Sequence, residues 1–60
     1  LKEAMQTRQL IGRAVGITME RYGLPEQRAF AFLARVSQTR NVKLRALAQE
    51  VVAELSSPQP

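Results

Sequence analysis

Tyr22-Gly23-Leu24-Pro25-Glu26 decides how this chain of 60 residues folds, because it stops one helix and starts another. Glycine adopts the left-handed backbone that closes a helix without a Cβ penalty, so Gly23 is the expected C′ residue. Proline lacks an N–H and has its φ already set for a first helical turn, so Pro25 is read as position N1 of the next helix. Glu26 then sets a carboxylate beside the positive end of that helix's dipole. These five residues predict the stop of one helix and the restart of the next, and the remainder of the chain is read outward from them.

Upstream, residues 1–22 contain no proline and read as one long helix. On a wheel of about 100° per residue, Ala4, Ile11, Ala14, Val15, Thr18 and Tyr22 share a face. Leu1, Met5 and Met19 widen it on one side, Leu10 and Ile17 on the other, while Gln6, Arg13 and Glu20 mark the polar side. The apolar arc is broader than one neighbouring helix covers, which predicts a homodimer formed through helix 1. Gly12 and Gly16 form a G-x-x-x-G pair. Each glycine costs up to about 1 kcal/mol relative to alanine in a helix, so close approach by a helix or a ligand is expected there. Charges flank the pair, which argues against a membrane helix dimer.

Downstream, residues 25–38 form the second expected helix, with Ala29, Phe30, Leu33, Val36 and Ser37 facing inward and Phe32 beside Val36. Phe30 and Phe32 fall within the apolar pattern and are read as core, not as platforms for stacking bases. Residues 42–55 form the third, where Leu44, Leu47, Ala48, Val51 and Leu55 make the clearest amphipathic stripe in the chain. The shared core is expected to hold Ile11, Ala14, Phe30, Leu33, Leu44, Leu47, Ala48 and Val51. Residues 56–60, Ser-Ser-Pro-Gln-Pro, read as a flexible tail. No segment alternates as a strand would. The fold class is all-α: a small three-helix bundle with a long first helix, one domain over residues 1–55.

The charge sits between helices 2 and 3. Arg35-Val36-Ser37-Gln38-Thr39-Arg40-Asn41-Val42-Lys43-Leu44-Arg45 carries four cations and no anion. Its +4 equals the formal charge of the whole chain, the rest being +2 over residues 1–22, 0 over 23–34 and −2 over 46–60. Charge concentrated in this way fits a polyanionic partner. Ser37, Thr39 and Asn41 have short polar side chains that compete with the helical backbone, and Asn41 is the expected N-cap of helix 3. Lys43 and Arg45 would then lie in its first turns, where a cation opposes the dipole at about 0.3–1 kcal/mol each. Free N–H groups at a helix start bind anions, so cations placed there suit a phosphate.

Composition narrows the function further. The chain has no Cys and no His, and its five carboxylates are all glutamates without metal-binding or acid–base spacing. No Gly-rich phosphate loop with a lysine occurs. An enzyme, a metal site and a cofactor are therefore not expected. No apolar run approaches the roughly 18 residues that span a bilayer, and no signal peptide is visible. Absence of Cys fits a reducing compartment, so a cytoplasmic location is expected. A chain of this length buries only about 60% of its unfolded surface, which puts weight on tight helix packing or self-association. It begins with Leu, and a missing upstream portion is expected.

The run from Ile11 to Gly23, Ile-Gly-Arg-Ala-Val-Gly-Ile-Thr-Met-Glu-Arg-Tyr-Gly, resembles the opening of the ANTAR domain, the RNA-binding module of transcription antitermination regulators. Ala29-Phe30, Leu33-Ala34-Arg35, Ser37-Gln38, Asn41, Lys43-Leu44 and Ala48 continue that family's pattern in order, over about residues 4–55. The resemblance implies a three-helix module that follows a sensor domain, binds nascent RNA hairpins, prevents terminator formation and dimerises through a helical extension into helix 1. Val15 stands where the family often has Lys, and Thr18 where it often has Leu. The first departure removes one possible phosphate contact.

The expected RNA-binding residues are Arg13, Gly16, Arg35, Gln38, Thr39, Asn41, Lys43 and Arg45. The cations would meet phosphates, and Gln38, Thr39 and Asn41 would reach unpaired loop bases. Two alternatives stand beside this reading: a helix-turn-helix DNA-binding domain with helix 3 as its recognition helix, and a protein-interaction or dimerisation bundle.

Overall fold

A computed structural model describes residues 2–56 of the chain and the side chains of residues 4–54. Three helices are present: α1 Lys2–Tyr22, α2 Glu26–Arg40 and α3 Leu44–Ser56. No strand occurs among the described residues. The expected all-α three-helix bundle with a long first helix is what forms. Expectations for Leu1, for the Leu55 side chain and for residues 57–60 of the tail fall outside the described residues.

Both turns close in the same way. Gly23 adopts φ 64°, and the Leu24 N–H reaches back to the Met19 carbonyl at 3.1 Å. Asn41 adopts φ 57° and ψ 44°, its own N–H bonds to the Gln38 carbonyl, and the Val42 N–H bonds to the Ser37 carbonyl at 3.0 Å. Each is a left-handed residue followed by an apolar one, and Leu24 and Val42 both pack against the core. This is the pattern that satisfies the last carbonyls of a helix.

Asn41 therefore ends α2 and does not cap α3, which corrects the sequence expectation. Asparagine is favoured at both kinds of cap, because its side chain bonds locally and it tolerates the left-handed region. Lys43 takes the position before α3, and its carbonyl accepts the Leu47 N–H at 3.0 Å. Helix α2 also runs two residues further than expected. Ser37 is helical, and its hydroxyl is satisfied within the helix by donating to the Ala34 carbonyl at 2.9 Å. At the other end Pro25 precedes the helix instead of opening it: with ψ 161° it is extended, and its carbonyl accepts the Ala29 N–H. We expect Asn41→Gly to leave thermal stability unchanged or raise it, and Asn41→Ala to lower it by about 1–2 kcal/mol, since a Cβ opposes the left-handed backbone. Thermal unfolding followed by circular dichroism checks this; an alanine variant as stable as the parent would contradict the cap assignment.

The core consists of Ala14, Val15, Ala29, Leu33, Leu47 and Ala48, with Ile11, Val36, Leu44 and Val51 packed around it. Thr18 is buried too, and its hydroxyl is satisfied by donating to the Ala14 carbonyl at 2.8 Å. The three alanines leave no bulk where the helices meet, so the axes approach closely. That closeness explains a second correction. Phe30 and Phe32 are 46% and 42% exposed, not core. On the wheel they stand roughly 80° to either side of the Ala29–Leu33 direction. Two close neighbouring helices cover only a narrow arc of α2, and both rings fall beyond it. Phe32 leans on Tyr22, with ring centroids 5.5 Å apart.

Gly12 and Gly16 are both exposed, and a Cβ on either would meet nothing within 4 Å. The close approach expected at this pair does not occur within the described chain. Arg45 of α3 lies beside Ala4 and Thr7 of α1, while Glu54 pairs with Arg21 at 3.5 Å near the other end. Helices α1 and α3 thus run in the same direction.

Candidate nucleic-acid interface

The basic stretch 35–45 is divided by the fold. Arg35, Gln38 and Thr39 are exposed on the side of α2 turned away from Ala29 and Leu33, and Arg28 stands two turns earlier on that side. Arg40 points the other way. Its guanidinium donates to both carboxylate oxygens of Glu50, at 2.9 and 3.3 Å, and that hydrogen bond and charge hold its pKa above the already high arginine value. One of the four cations is thereby tied to an anion within the domain. Asn41 and Lys43 are exposed in the α2–α3 turn.

Arg45 faces a different neighbourhood. It lines an open groove of about 540 Å³ with Ala4, Thr7, Arg8 and Ile11 of α1 and Phe30 of α2. A second recess of about 400 Å³ lies on its other side, lined by Gln6, Thr7, Leu10 and Gln49 together with Arg45. A third, also about 400 Å³, continues from Arg8, Ile11 and Phe30 along the α1–α2 seam to Gly12, Val15 and Glu26. Helix α3 has no acidic residue in its first turn, and the two arginines line the groove from α1 and α3.

Arg13 and Gly16 are exposed on the outer side of α1, away from buried Ala14, Val15 and Thr18. The fold does not bring them into the groove. Val15, where a family lysine is frequent, belongs to the core. The sequence reading passed over Arg8 and Phe30 as candidates. The available signal was a cation at the edge of the helix 1 apolar stripe, one turn from both Ala4 and Ile11. Among the described residues no group of three acidic, histidine or cysteine side chains could hold a metal, and no helix is long and apolar enough to cross a membrane.

The ANTAR domain family model matches residues 1–52. The chain belongs to the ANTAR domain family. The transcriptional regulatory protein PdtaR of Mycobacterium tuberculosis, in two strains, is 30% identical to this ANTAR domain over 59 residues. That similarity covers 98% of the chain and 29% of the regulator, so the chain spans under a third of the length of these relatives. No solved structure matches it.

Proposed function

We propose that this ANTAR domain is the output module of a larger cytoplasmic transcription regulator, binding a hairpin in nascent RNA and so preventing terminator formation. The observation that carries the reading is the family match over residues 1–52. A relative named as a transcriptional regulatory protein, of which this chain spans 29%, supports a place within a longer chain, and an upstream sensor domain is part of the proposal. The exposed cations Arg35, Lys43 and Arg45 supply the phosphate contacts, and Gln38, Thr39 and Asn41 are exposed beside them for hydrogen bonds to loop bases. Homodimerisation through α1 is part of the proposal. It is supported by Met5, 63% exposed, and by half-buried Ile17 outside the core cluster, whereas Leu10 packs on the domain's own core.

The DNA-binding alternative draws less support. The exposed side of α3 carries Glu50 and Glu54 against Arg45, which gives a recognition helix an acidic second half. The test is titration of RNA hairpins carrying a randomised loop at several salt concentrations. Lys43→Ala and Arg45→Ala are each expected to weaken binding and to lower the log–log salt slope by about 0.7, the single-strand coefficient per phosphate contact. Folding should persist, since both substitutions remove a cation from the positive end of α3. Unchanged affinity in both variants sinks the phosphate assignment. Equal competition by a DNA duplex of the same sequence sinks the RNA-specific form.

A further inference from the structure

We propose that the groove between Phe30, Arg8 and Arg45 holds one unpaired nucleobase of the bound RNA, stacked on the Phe30 ring and flanked by phosphates on the two guanidinium groups. The inference deepens the RNA-binding reading and rests on it.

Three observations carry it. The first is the state of the aromatic rings. Of the three in the chain, Tyr22 and Phe32 lean on each other, while Phe30 has no ring partner. Phe30 is nearly half exposed and lines the groove beside Ile11, so an aromatic face remains available for a flat ligand. The second is charge. Among the described residues, the charged side chains lining the groove are Arg8 and Arg45, one from α1 and one from α3, so two cations stand near the ring. A planar hydrophobic face between cations matches a nucleotide, whose base is a π surface and whose linkage is anionic. The third is what continues from the groove. The adjoining recess shares Thr7 and Arg45 and adds Gln6 and Gln49, side-chain amides that both donate and accept and so match a base edge.

The site is distinct from the outer side of α2 on which Arg35, Gln38 and Thr39 lie. It would take a base from a loop or bulge, because a paired base presents no free face.

The experiment uses the 60-residue chain and hairpins selected from a pool with a fully randomised loop. Each loop position of a selected hairpin is then replaced in turn by 2-aminopurine, whose fluorescence falls when it stacks. Phe30→Leu, which keeps an apolar side chain but loses the π face, is expected to weaken binding about 5- to 150-fold, the range for losing one stacked base. Phe30→Tyr is expected to restore it. One 2-aminopurine position is expected to be quenched by the parent and not by Phe30→Leu. Arg8→Ala is expected to reduce the salt slope by about 0.7 with circular dichroism unchanged.

Phe30→Leu binding as tightly as the parent, in a parent that selects hairpins, overturns the base site and leaves the RNA reading intact. Failure of the parent to select any hairpin at physiological salt overturns both. If Phe30→Leu instead converts a sedimenting dimer to monomer while quenching persists, the groove belongs to a second copy of the chain. Should Phe30→Leu not fold, quenching in the parent, or its absence at every loop position, decides the proposal alone.

Discussion

Leu47→Ala is expected to cost about 2–5 kcal/mol of stability. Leu47 is 5% exposed at the centre of the α3 stripe, against the alanines that bring the helices together. Removing its isobutyl group forfeits the transfer free energy of that group and leaves a void. The void cannot readily close, because Ala14, Ala29 and Ala48 have no flexible side chains to move into it. A domain of 60 residues is expected to have a total stability of roughly 3–9 kcal/mol, so the substitution removes most or all of it. Urea denaturation followed by circular dichroism measures the effect. A midpoint unchanged from the parent would mean that Leu47 is not a packing residue.

Ala48→Leu is expected to destabilise the domain as well, by about 1–3 kcal/mol or more, although it adds apolar surface. Ala48 is fully buried, and α3 approaches its neighbours over that position. Alanine and leucine are close in helix propensity, so a loss reports space and not helix formation. Ala31→Leu serves as the control, since Ala31 is exposed on α2 and the same change there should be nearly neutral. Equal stability of the two variants would show that the helices have room to separate. Leu47→Ala and Ala48→Leu change volume in opposite directions and both lose stability, as a close-packed contact requires.

The architecture was legible from punctuation and periodicity. Gly23 and Pro25 stop and restart the helix for stereochemical reasons that hold in almost any context, and the Leu47–Ala48–Val51 stripe has only one way to face a partner. What was not legible depended on distances between helices. Phe30 matches an apolar pattern, but its burial turns on how near α1 comes, and that is set by alanines that periodicity counts only as weak apolar positions. Asn41 is chemically suited to ending one helix or starting the next, and the neighbouring residues do not separate the two. The basic stretch was visible as charge. Its division was not, because sequence proximity says nothing of Glu50 reaching Arg40 or of Arg45 turning towards Arg8.

The two exposed glycines of α1 bear on how the domain comes together. With no neighbour to accommodate, Gly12 and Gly16 withhold up to about 2 kcal/mol of helix propensity from the middle of α1. Most helical stability in proteins comes from packing of an amphipathic face and not from propensity. Helix α1 is therefore not a preformed rod onto which the others dock. It acquires its helical state as Ala14, Val15 and Thr18 are buried, so its ordering and the assembly of the bundle are one cooperative event. Arg8, carried by α1, meets Phe30 and Arg45 only when that event is complete, which makes the groove between them a property of the assembled domain and not of any one helix.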